Sequence, residues 1–146
     1  MKKSYDRMDG HTFEHYCAGL LRRNGFHHVE VTRGSGDQGI DILAWKHRKK
    51  YGIQCKCYSY YLGNKAIQEA YAGMKFYECD VAAVLTNQYF TNSAVAPAGK
   101  TDVLLWIGPS SKSSANAKSP AFSIWRDSLE WLAVPGSSIF SAPQKA

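Results

Sequence analysis

Two neighbouring strand-like segments most constrain how this chain can fold. GIDILAW (39–45) and YGIQCKC (51–57) are rich in residues that favour strands, and the short basic turn KHRKK (46–50) joins them. So short a connection predicts an antiparallel hairpin with strands at about 40–46 and 51–58. The rest of the sheet must be built around this hairpin.

Polar side chains interrupt both strands of the predicted hairpin. Asp41 lies in the first strand, and Gln54 and Lys56 lie in the second. Side chains alternate between the two faces of a strand, so Gln54 and Lys56 share one face. If the turn centres near Arg48, Asp41 lies opposite this pair within about one residue of register. An acid, an amide and an amine are thus expected on one patch of sheet, which indicates a functional site.

The remaining sequence predicts further helices and strands around this hairpin. In order, they are a helix over 12–24 with Thr12 as its N-cap and Gly25 at its end, a strand in HVEVTR (28–33), a helix from Asn64 to about Tyr77, a strand in DVAAVLTN (80–87), a short helix in TNSAVAPAGK (91–100) interrupted at Pro97, and a strand in TDVLLWIG (101–108). The predicted order is α-β-β-β-α-β-α-β. This rhythm predicts an α/β sheet with helices on both faces, partly antiparallel because of the hairpin.

Residues 109–146 differ in character from the predicted globular domain, residues 1–108. PSSKSSANAKSP (109–120) is Ser-rich and predicts a linker. FSIWRDSLEWL (122–132) predicts a short amphipathic helix within the C-terminal tail.

The charge, the apolar runs and the cysteine spacing of the chain indicate its cellular compartment and its kind of partner. The 146-residue chain has a formal net charge of +6 and a pI of about 9.2, which favours a polyanionic partner such as nucleic acid. Its longest apolar runs, VAAVL and VLLWI, fall far short of the ~20 residues of a membrane helix. The four cysteines lack zinc-finger spacing and suit free thiols. We expect a cytoplasmic protein that makes no contact with a membrane.

The polar patch of the hairpin suits metal-assisted hydrolysis of a phosphodiester. This reaction needs a divalent metal to hold the phosphate and generate hydroxide, and Mg²⁺ prefers oxygen ligands. Asp41 can supply a carboxylate, Gln54 an amide oxygen and Cys55 its main-chain carbonyl. Lys56 can orient or deprotonate the water, or stabilise charge on phosphorus. Contacts with DNA phosphates are predicted for five basic residues, Arg33, Lys46, Arg48, Lys49 and Lys50.

Three long stretches of the chain carry a family resemblance. They are FEHYCAGLLRRNGFHHVEVTRGSGDQGIDILAW, YGIQCKCYSYYLGNKAIQEAYAGMKFY and VAAVLTNQYFTNSA, in that order within about residues 10–107. Together they closely resemble the catalytic domain of Mrr-like restriction endonucleases, which belong to the PD-(D/E)XK nuclease superfamily. The resemblance implies a restriction-endonuclease-like fold with an αβββαβ core. It also implies cleavage of DNA with Mg²⁺, or Mn²⁺ in its place, in restriction of foreign DNA.

The resemblance also assigns roles to individual residues. The acid, amide and amine of the hairpin form the catalytic set, with Gln54 where most of the superfamily has an acid. Glu14, on the first helix, matches the family's additional acid that faces the metal. Gln68 looks like the polar residue that lines the same cleft. Asp37 belongs to the GSGDQGID signature, where we expect it to brace the loop.

Partners and two other functions stay open at this stage. Cutting both strands with one site per chain favours a homodimer whose two-fold axis matches the duplex. No winged-helix domain is visible in the sequence, so target recognition is expected from a separate domain or subunit. Because Gln54 is neutral, the domain could instead bind nucleic acid without turnover. A structure-selective nuclease that resembles junction resolvases is the other alternative.

A competing motif lies in the first predicted helix. HTFEH (11–15) has the H-x-x-E-H spacing of an inverted zinc-protease helix, and two histidines four residues apart can share a metal. However, His11 is expected at or before the N-cap, and no later Glu-bearing helix stands out as a source of the third ligand. We therefore rank the zinc-protease interpretation below the nuclease.

Overall fold

Five β-strands form one mixed sheet with helices on both faces. The computed structural model describes residues 8–32, 38–88 and 90–107, with the side chains of Val95 and Ile107 excepted. The elements are α1 (Gly10–Arg23), β1 (His27–Val31), β2 (Ile42–Lys46), β3 (Lys49–Lys56), α2 (Asn64–Phe76), β4 (Val81–Thr86), α3 (Asn92–Thr101) and β5 (Leu104–Ile107). This sequence of elements confirms the predicted order.

The hairpin of β2 and β3 has the predicted register. A two-residue turn joins the strands, and its residues His47 and Arg48 have φ values of 51° and 63°, as in a type I′ turn. Ile42 pairs with Ile53, so Asp41 comes opposite Gln54. The hairpin prediction is therefore confirmed to within one residue.

The carboxyl ends of three strands lie at one edge of the sheet. The strands are arranged β1-β2-β3-β4-β5, with β3, β4 and β5 parallel to one another. Residues Val81–Thr86 of β4 are all buried, as a strand covered on both faces requires. The polar end of β3 therefore lies at the edge where parallel strands commonly present a site.

Each face of the sheet has its own apolar core. Leu21 of α1 lies in the first core and Ile67 of α2 lies in the second. Ile53 and Cys55 of β3 belong to the first core, under α1. Side chains alternate between the two faces of a strand, so Gln54 and Lys56 project to the opposite face, toward α2. The polar side chains of β3 therefore lie on the face of the sheet that α2 covers.

Asp9, rather than Thr12, caps the N-terminus of α1. The main-chain N–H of Thr12 donates to Asp9 Oδ1 at 2.8 Å, and the Thr12 hydroxyl donates to Oδ2 at 3.0 Å. The prediction of Thr12 as N-cap is wrong, because Asp9 satisfies the free N–H groups of the first turn. His11 consequently lies inside the helix.

Pro97 lies inside α3, which runs from Asn92 to Thr101. The predicted interruption of this helix at Pro97 is therefore wrong.

Gly25 ends α1 as predicted. Its φ of 83° is in the left-handed region, which favours glycine. The N–H of Phe26 donates to the Leu21 carbonyl at 3.1 Å, and that of Gly25 donates to the Arg22 carbonyl at 3.3 Å. This pair of bonds is the Schellman arrangement of a helix C-terminus.

Two glycines let α2 lie directly against the loop that precedes β2. A Cβ atom at Gly73 would lie 2.5 Å from the carbonyl oxygen of Gln38. A Cβ atom at Gly39 would lie 2.5 Å from the carbonyl oxygen of Glu69, and Gly39 also has a φ of 83°. Neither position accepts a side chain unless backbone moves. The close contact fixes the distance between the loop and α2.

Replacing Gly73 by alanine is expected to destabilise the protein by about 1–3 kcal/mol, because the new methyl group overlaps the backbone at Gln38. Helix propensity alone predicts the opposite sign, a gain of up to about 1 kcal/mol. Gly19→Ala in α1 is the matched control, since its Cβ would meet only Arg23 Nη1 at 3.7 Å. Urea unfolding of both variants tests this. A Gly73→Ala variant as stable as the wild type would contradict the packing.

Several predicted features lie outside the described residues. They are the linker, helix and tail of residues 109–146, the domain boundary at 108, and the side chains of Arg33 and Asp37. None of the helices in the described ranges is long and apolar enough to span a membrane. The four cysteines are free thiols, as their spacing predicted.

Candidate active site

A cleft opens at the carboxyl end of β3 and reaches α1 and α2. Its volume is about 490 Å³. It is lined by Gly10, Glu14, Gly39, Asp41, Gln54, Cys55, Lys56, Cys57, Tyr58 and Glu69. The structure therefore brings together four side chains singled out from the sequence, those of Glu14, Asp41, Gln54 and Lys56.

The main chain of β3 holds Asp41 in place. Asp41 Oδ2 accepts a hydrogen bond from the N–H of Cys55 at 2.7 Å, and the N–H of Asp41 donates to the Ile53 carbonyl at 2.9 Å. Only 8% of the residue is exposed. Two bonds to one strand and this burial fix the carboxylate at the cleft wall.

Glu69 of α2 sets the orientation of the Gln54 amide. Gln54 Nε2 donates to Glu69 Oε2 at 2.6 Å, so the amide nitrogen faces α2. The other amide atom, Oε1, is buried and has no hydrogen-bond partner among the described residues. A buried carbonyl oxygen without a partner costs about 1–3 kcal/mol. Gln54 Oε1 is therefore an acceptor suited to a cation or to a donor group of a ligand.

Glu69 also forms an ion pair with Lys56. Lys56 Nζ lies 3.0 Å from Glu69 Oε2. Partial burial lowers the pKa of Lys56, but the hydrogen bond and charge of Glu69 outweigh it and raise the pKa above its ordinary value. Partial burial raises the pKa of Glu69, but hydrogen bonds from Lys56 and Gln54 bring the pKa below its ordinary value. Lys56 and Glu69 therefore carry opposite charges at neutral pH.

Glu69→Gln is expected to be less stable than the wild type at neutral pH, by no more than about 1 kcal/mol because solvent screens the pair. Burial raises the pKa of Glu69, but the hydrogen bonds from Lys56 and Gln54, together with the charge of Lys56, have the larger effect, so folding lowers the pKa. Its contribution is therefore present at neutral pH and is lost as the pH falls through the lowered pKa. Urea unfolding at neutral and acidic pH measures the difference. Glu30→Gln removes an exposed carboxylate of β1 and controls for the loss of surface charge. A stability difference between Glu69→Gln and the wild type that does not change with pH would contradict the pairing.

The carboxyl end of β4 anchors the chain that follows Lys56. The hydroxyl of Thr86 donates to the Lys56 carbonyl at 2.7 Å. The Asn87 side chain accepts from the N–H of Tyr58 at 2.9 Å and donates to the Tyr58 carbonyl at 3.1 Å. These bonds make the Lys56 backbone part of the rigid sheet.

Gln68 does not line this cleft, and that prediction is wrong. Its side chain is exposed and borders a separate groove between α2 and α3, near Tyr71 and Lys100. Glu69 takes the position in the cleft instead, because each residue of a helix is turned by about 100° from the one before. Helical spacing alone does not single out Glu69, although it follows the buried Ala66 by three residues, because the packing of α2 decides which residue reaches the cleft.

The basic turn lies at the opposite end of the hairpin from Asp41. His47 comes six positions after Asp41, which is about 20 Å along a strand. Lys46 Nζ donates to the Asn24 carbonyl at 2.8 Å, and burial lowers the pKa of Lys46. Lys50 Nζ donates to the Tyr77 carbonyl at 2.7 Å. It stays a prediction that four basic residues of this turn contact DNA, namely Lys46, Arg48, Lys49 and Lys50. The phosphates they would contact lie far from the cleft.

Glu14 approaches the cleft from α1. Its side chain is 16% exposed, and its Oε2 lies 3.4 Å from His11 Nδ1. Within residues 8–32, 38–88 and 90–107, no three His, Cys, Asp or Glu side chains are gathered to hold a metal ion. The oxygen donors of the cleft are instead the carboxylates of Glu14 and Asp41, the amide of Gln54 and main-chain carbonyls.

Comparison with solved structures finds a protein of similar fold. The crystal structure described as "Protein of Unknown Function AF1548" matches with a TM-score of 0.57 and 25% sequence identity. The match covers 66% of this chain and 57% of that one, so this chain spans little more than half the length of its relative. The comparison with curated proteins gives no match.

Comparison with protein families matches most of the chain. The model of the Mrr catalytic-domain family, described as "Restriction endonuclease", matches residues 5–110. This range includes every element of the sheet and every residue that lines the cleft. The chain belongs to the Mrr catalytic-domain family of restriction endonucleases.

Proposed function

We propose that this protein is a Mg²⁺-dependent endonuclease that hydrolyses DNA phosphodiester bonds in defence against foreign DNA. One observation carries the proposal: Asp41, Gln54 and Lys56 meet with Glu14 in one cleft at the carboxyl end of β3. The family membership supports nuclease activity in general. The rigid strands that hold these side chains suit a site whose geometry must be fixed before substrate binds.

The oxygen donors of the cleft fit a Mg²⁺ ion. Mg²⁺ is commonly held by one or two carboxylates while water and substrate oxygens complete its shell. Asp41 and Glu14 supply the carboxylates, and Gln54 Oε1 is a buried oxygen without a partner among the described residues. Bound there, Mg²⁺ supplies Lewis-acid stabilisation of phosphate charge and activation of a water nucleophile. The main-chain carbonyl of Cys55 is a further predicted ligand.

Lys56 acts in this proposal as a cation rather than as a base. Although burial lowers its pKa, Glu69 more than offsets that and raises the pKa above its ordinary value. A group that holds its proton so firmly cannot readily take one from water at neutral pH. Lys56 can instead orient the water and stabilise the negative charge that develops on the phosphoryl oxygens. Of the two roles predicted from the sequence, the ion pair favours this one.

Glu69 positions both polar residues of β3. It binds Gln54 Nε2 at 2.6 Å and Lys56 Nζ at 3.0 Å, so one carboxylate fixes the amide and the amine together. The bond to Nε2 directs Gln54 Oε1 away from Glu69, which makes that oxygen available as a ligand. A neutral glutamine at this position thereby keeps one well-oriented oxygen donor.

A neutral Gln54 also supports a second candidate, a nuclease-fold module that binds DNA without cutting it. Gln54 gives the site one negative charge fewer than the usual acid would. Incubating supercoiled plasmid with the protein, with Mg²⁺ or with EDTA, separates the two candidates. Nicked or linear DNA that forms only with Mg²⁺ supports the nuclease. A gel shift without cleavage under Mg²⁺ or Mn²⁺ would instead support the binding module.

A further inference from the structure

A pair of histidines meets on the exposed face of α1. His11 and His15 are four residues apart in the helix, so they lie one turn apart on the same face. Their rings meet edge-to-face with centroids 4.7 Å apart, and their Nε2 atoms are 3.3 Å apart. Because α1 begins at Gly10, His11 is helical, and the objection that it falls outside the helix does not hold.

The separation of the two Nε2 atoms fits a shared metal ion. A tetrahedral metal with imidazole ligands at about 2.0–2.1 Å holds the two nitrogens about 3.3–3.4 Å apart. The two Nε2 atoms of α1 are 3.3 Å apart, within hydrogen-bond reach of each other, so the pair already has the separation that a shared metal requires.

Glu14 gives His11 the support that a metal-binding histidine usually has. Glu14 Oε2 lies 3.4 Å from His11 Nδ1, whereas His15 lies at the other ring nitrogen, Nε2. Metal-binding histidines commonly donate the other ring N–H to a carboxylate, which fixes the tautomer and the ring orientation. A carboxylate beside Nδ1 favours the tautomer with its proton on that nitrogen, which leaves the Nε2 lone pair of His11 for a metal.

We propose that His11 and His15 bind one transition-metal cation through their Nε2 atoms, with Glu14 orienting His11. Imidazole suits Ni²⁺, Cu²⁺ and Zn²⁺, whereas Mg²⁺ prefers oxygen. The described residues gather no third His, Cys, Asp or Glu ligand here, so water completes the coordination shell. The site is therefore a two-histidine binding site rather than the centre of a zinc protease. It does not depend on the nuclease activity.

Calorimetric titration of Ni²⁺ into the full chain, free of any affinity tag, tests the site. The wild type is expected to bind one Ni²⁺ per chain, and His15→Ala is expected to bind at least roughly tenfold more weakly because a ligand is lost. Glu14→Gln is also expected to weaken binding, by roughly tenfold, because His11 loses its orienting carboxylate. Circular dichroism of each variant checks that α1 is intact.

His27→Gln is the matched control. His27 and His28 also have neighbouring rings, with centroids 5.3 Å apart, but they are adjacent residues of β1 rather than one helical turn apart. Replacing His27 should leave Ni²⁺ affinity unchanged. The proposal would be overturned if the wild type showed no saturable Ni²⁺ binding, or if the wild type and His15→Ala bound Ni²⁺ equally.

Discussion

Lys56→Ala is expected to cleave DNA roughly 10²–10³-fold more slowly than the wild type while still binding it. Lys56 Nζ lies at the end of β3 in an ion pair of 3.0 Å with Glu69. Because the pair keeps Lys56 protonated, the variant lacks the cation that we propose stabilises the charge developing on the phosphoryl oxygens. An interaction that strengthens only in the transition state affects kcat more than KM.

Single-turnover cleavage of plasmid, with DNA affinity measured separately by gel shift, tests the Lys56 prediction. Lys75→Ala is the matched control, because Lys75 is an exposed lysine on α2 and does not line the cleft. It removes the same formal charge and should leave the rate unchanged. Equal rates for Lys56→Ala and the wild type would contradict the role given to Lys56.

Asp41→Asn is expected to lose metal-dependent cleavage by at least about 10³-fold, which corresponds to about 4 kcal/mol of transition-state stabilisation. The fold should survive, because the asparagine amide oxygen can still accept the bond that Cys55 N–H now donates at 2.7 Å. What the variant loses is the negative charge that the proposed metal site requires.

A metal-dependent rise in thermal stability tests Asp41 without DNA. An ion that binds only the folded state stabilises it, by about 2.7 kcal/mol at a concentration of 100 times Kd. Mg²⁺ should raise the Tm of the wild type and not that of Asp41→Asn. Asp80→Asn is the matched control, since Asp80 Oδ2 also accepts a main-chain N–H, from Lys50 at 2.8 Å, but lies outside the cleft. Equal stabilisation of the wild type and Asp41→Asn would contradict the assignment.

The hairpin and its polar patch were predictable from the sequence because both depend on local rules. Period-two alternation places Gln54 and Lys56 on one face, and the short turn places Asp41 opposite them. The order of helices and strands followed from apolar periodicity in the same way. These features need no knowledge of distant contacts.

Glu69 was not predictable in the same way, because its position depends on how α2 packs. The sequence-based choice was Gln68, which differs from Glu69 by about 100° of helix rotation. The close approach of α2 to the loop before β2, at Gly39 and Gly73, decides which residue reaches the cleft. The N-cap of α1 shows the same limit at shorter range, because Asp9 and Thr12 are both good caps and their geometry decides between them.

The charge of the basic turn was also clear from the sequence, whereas its surroundings were not. The attachment of Lys46 to Asn24 and of Lys50 to Tyr77 depends on neighbours more than 20 residues away in sequence. Lys46 and Lys50, which the sequence predicted to contact DNA, thus donate hydrogen bonds to main-chain carbonyls of the protein itself. Direct tests of DNA contact at this turn should therefore begin with Arg48 and Lys49, which are exposed.

Cleavage of supercoiled plasmid by the wild type and by Asp41→Asn, each with Mg²⁺ and with EDTA, tests the central claim most directly. The proposed site predicts nicked or linear DNA in one reaction alone, the wild type with Mg²⁺, while both proteins still shift DNA in a gel. Cleavage by Asp41→Asn at the wild-type rate, or cleavage that persists in EDTA, would contradict a metal-dependent nuclease site at the end of β3.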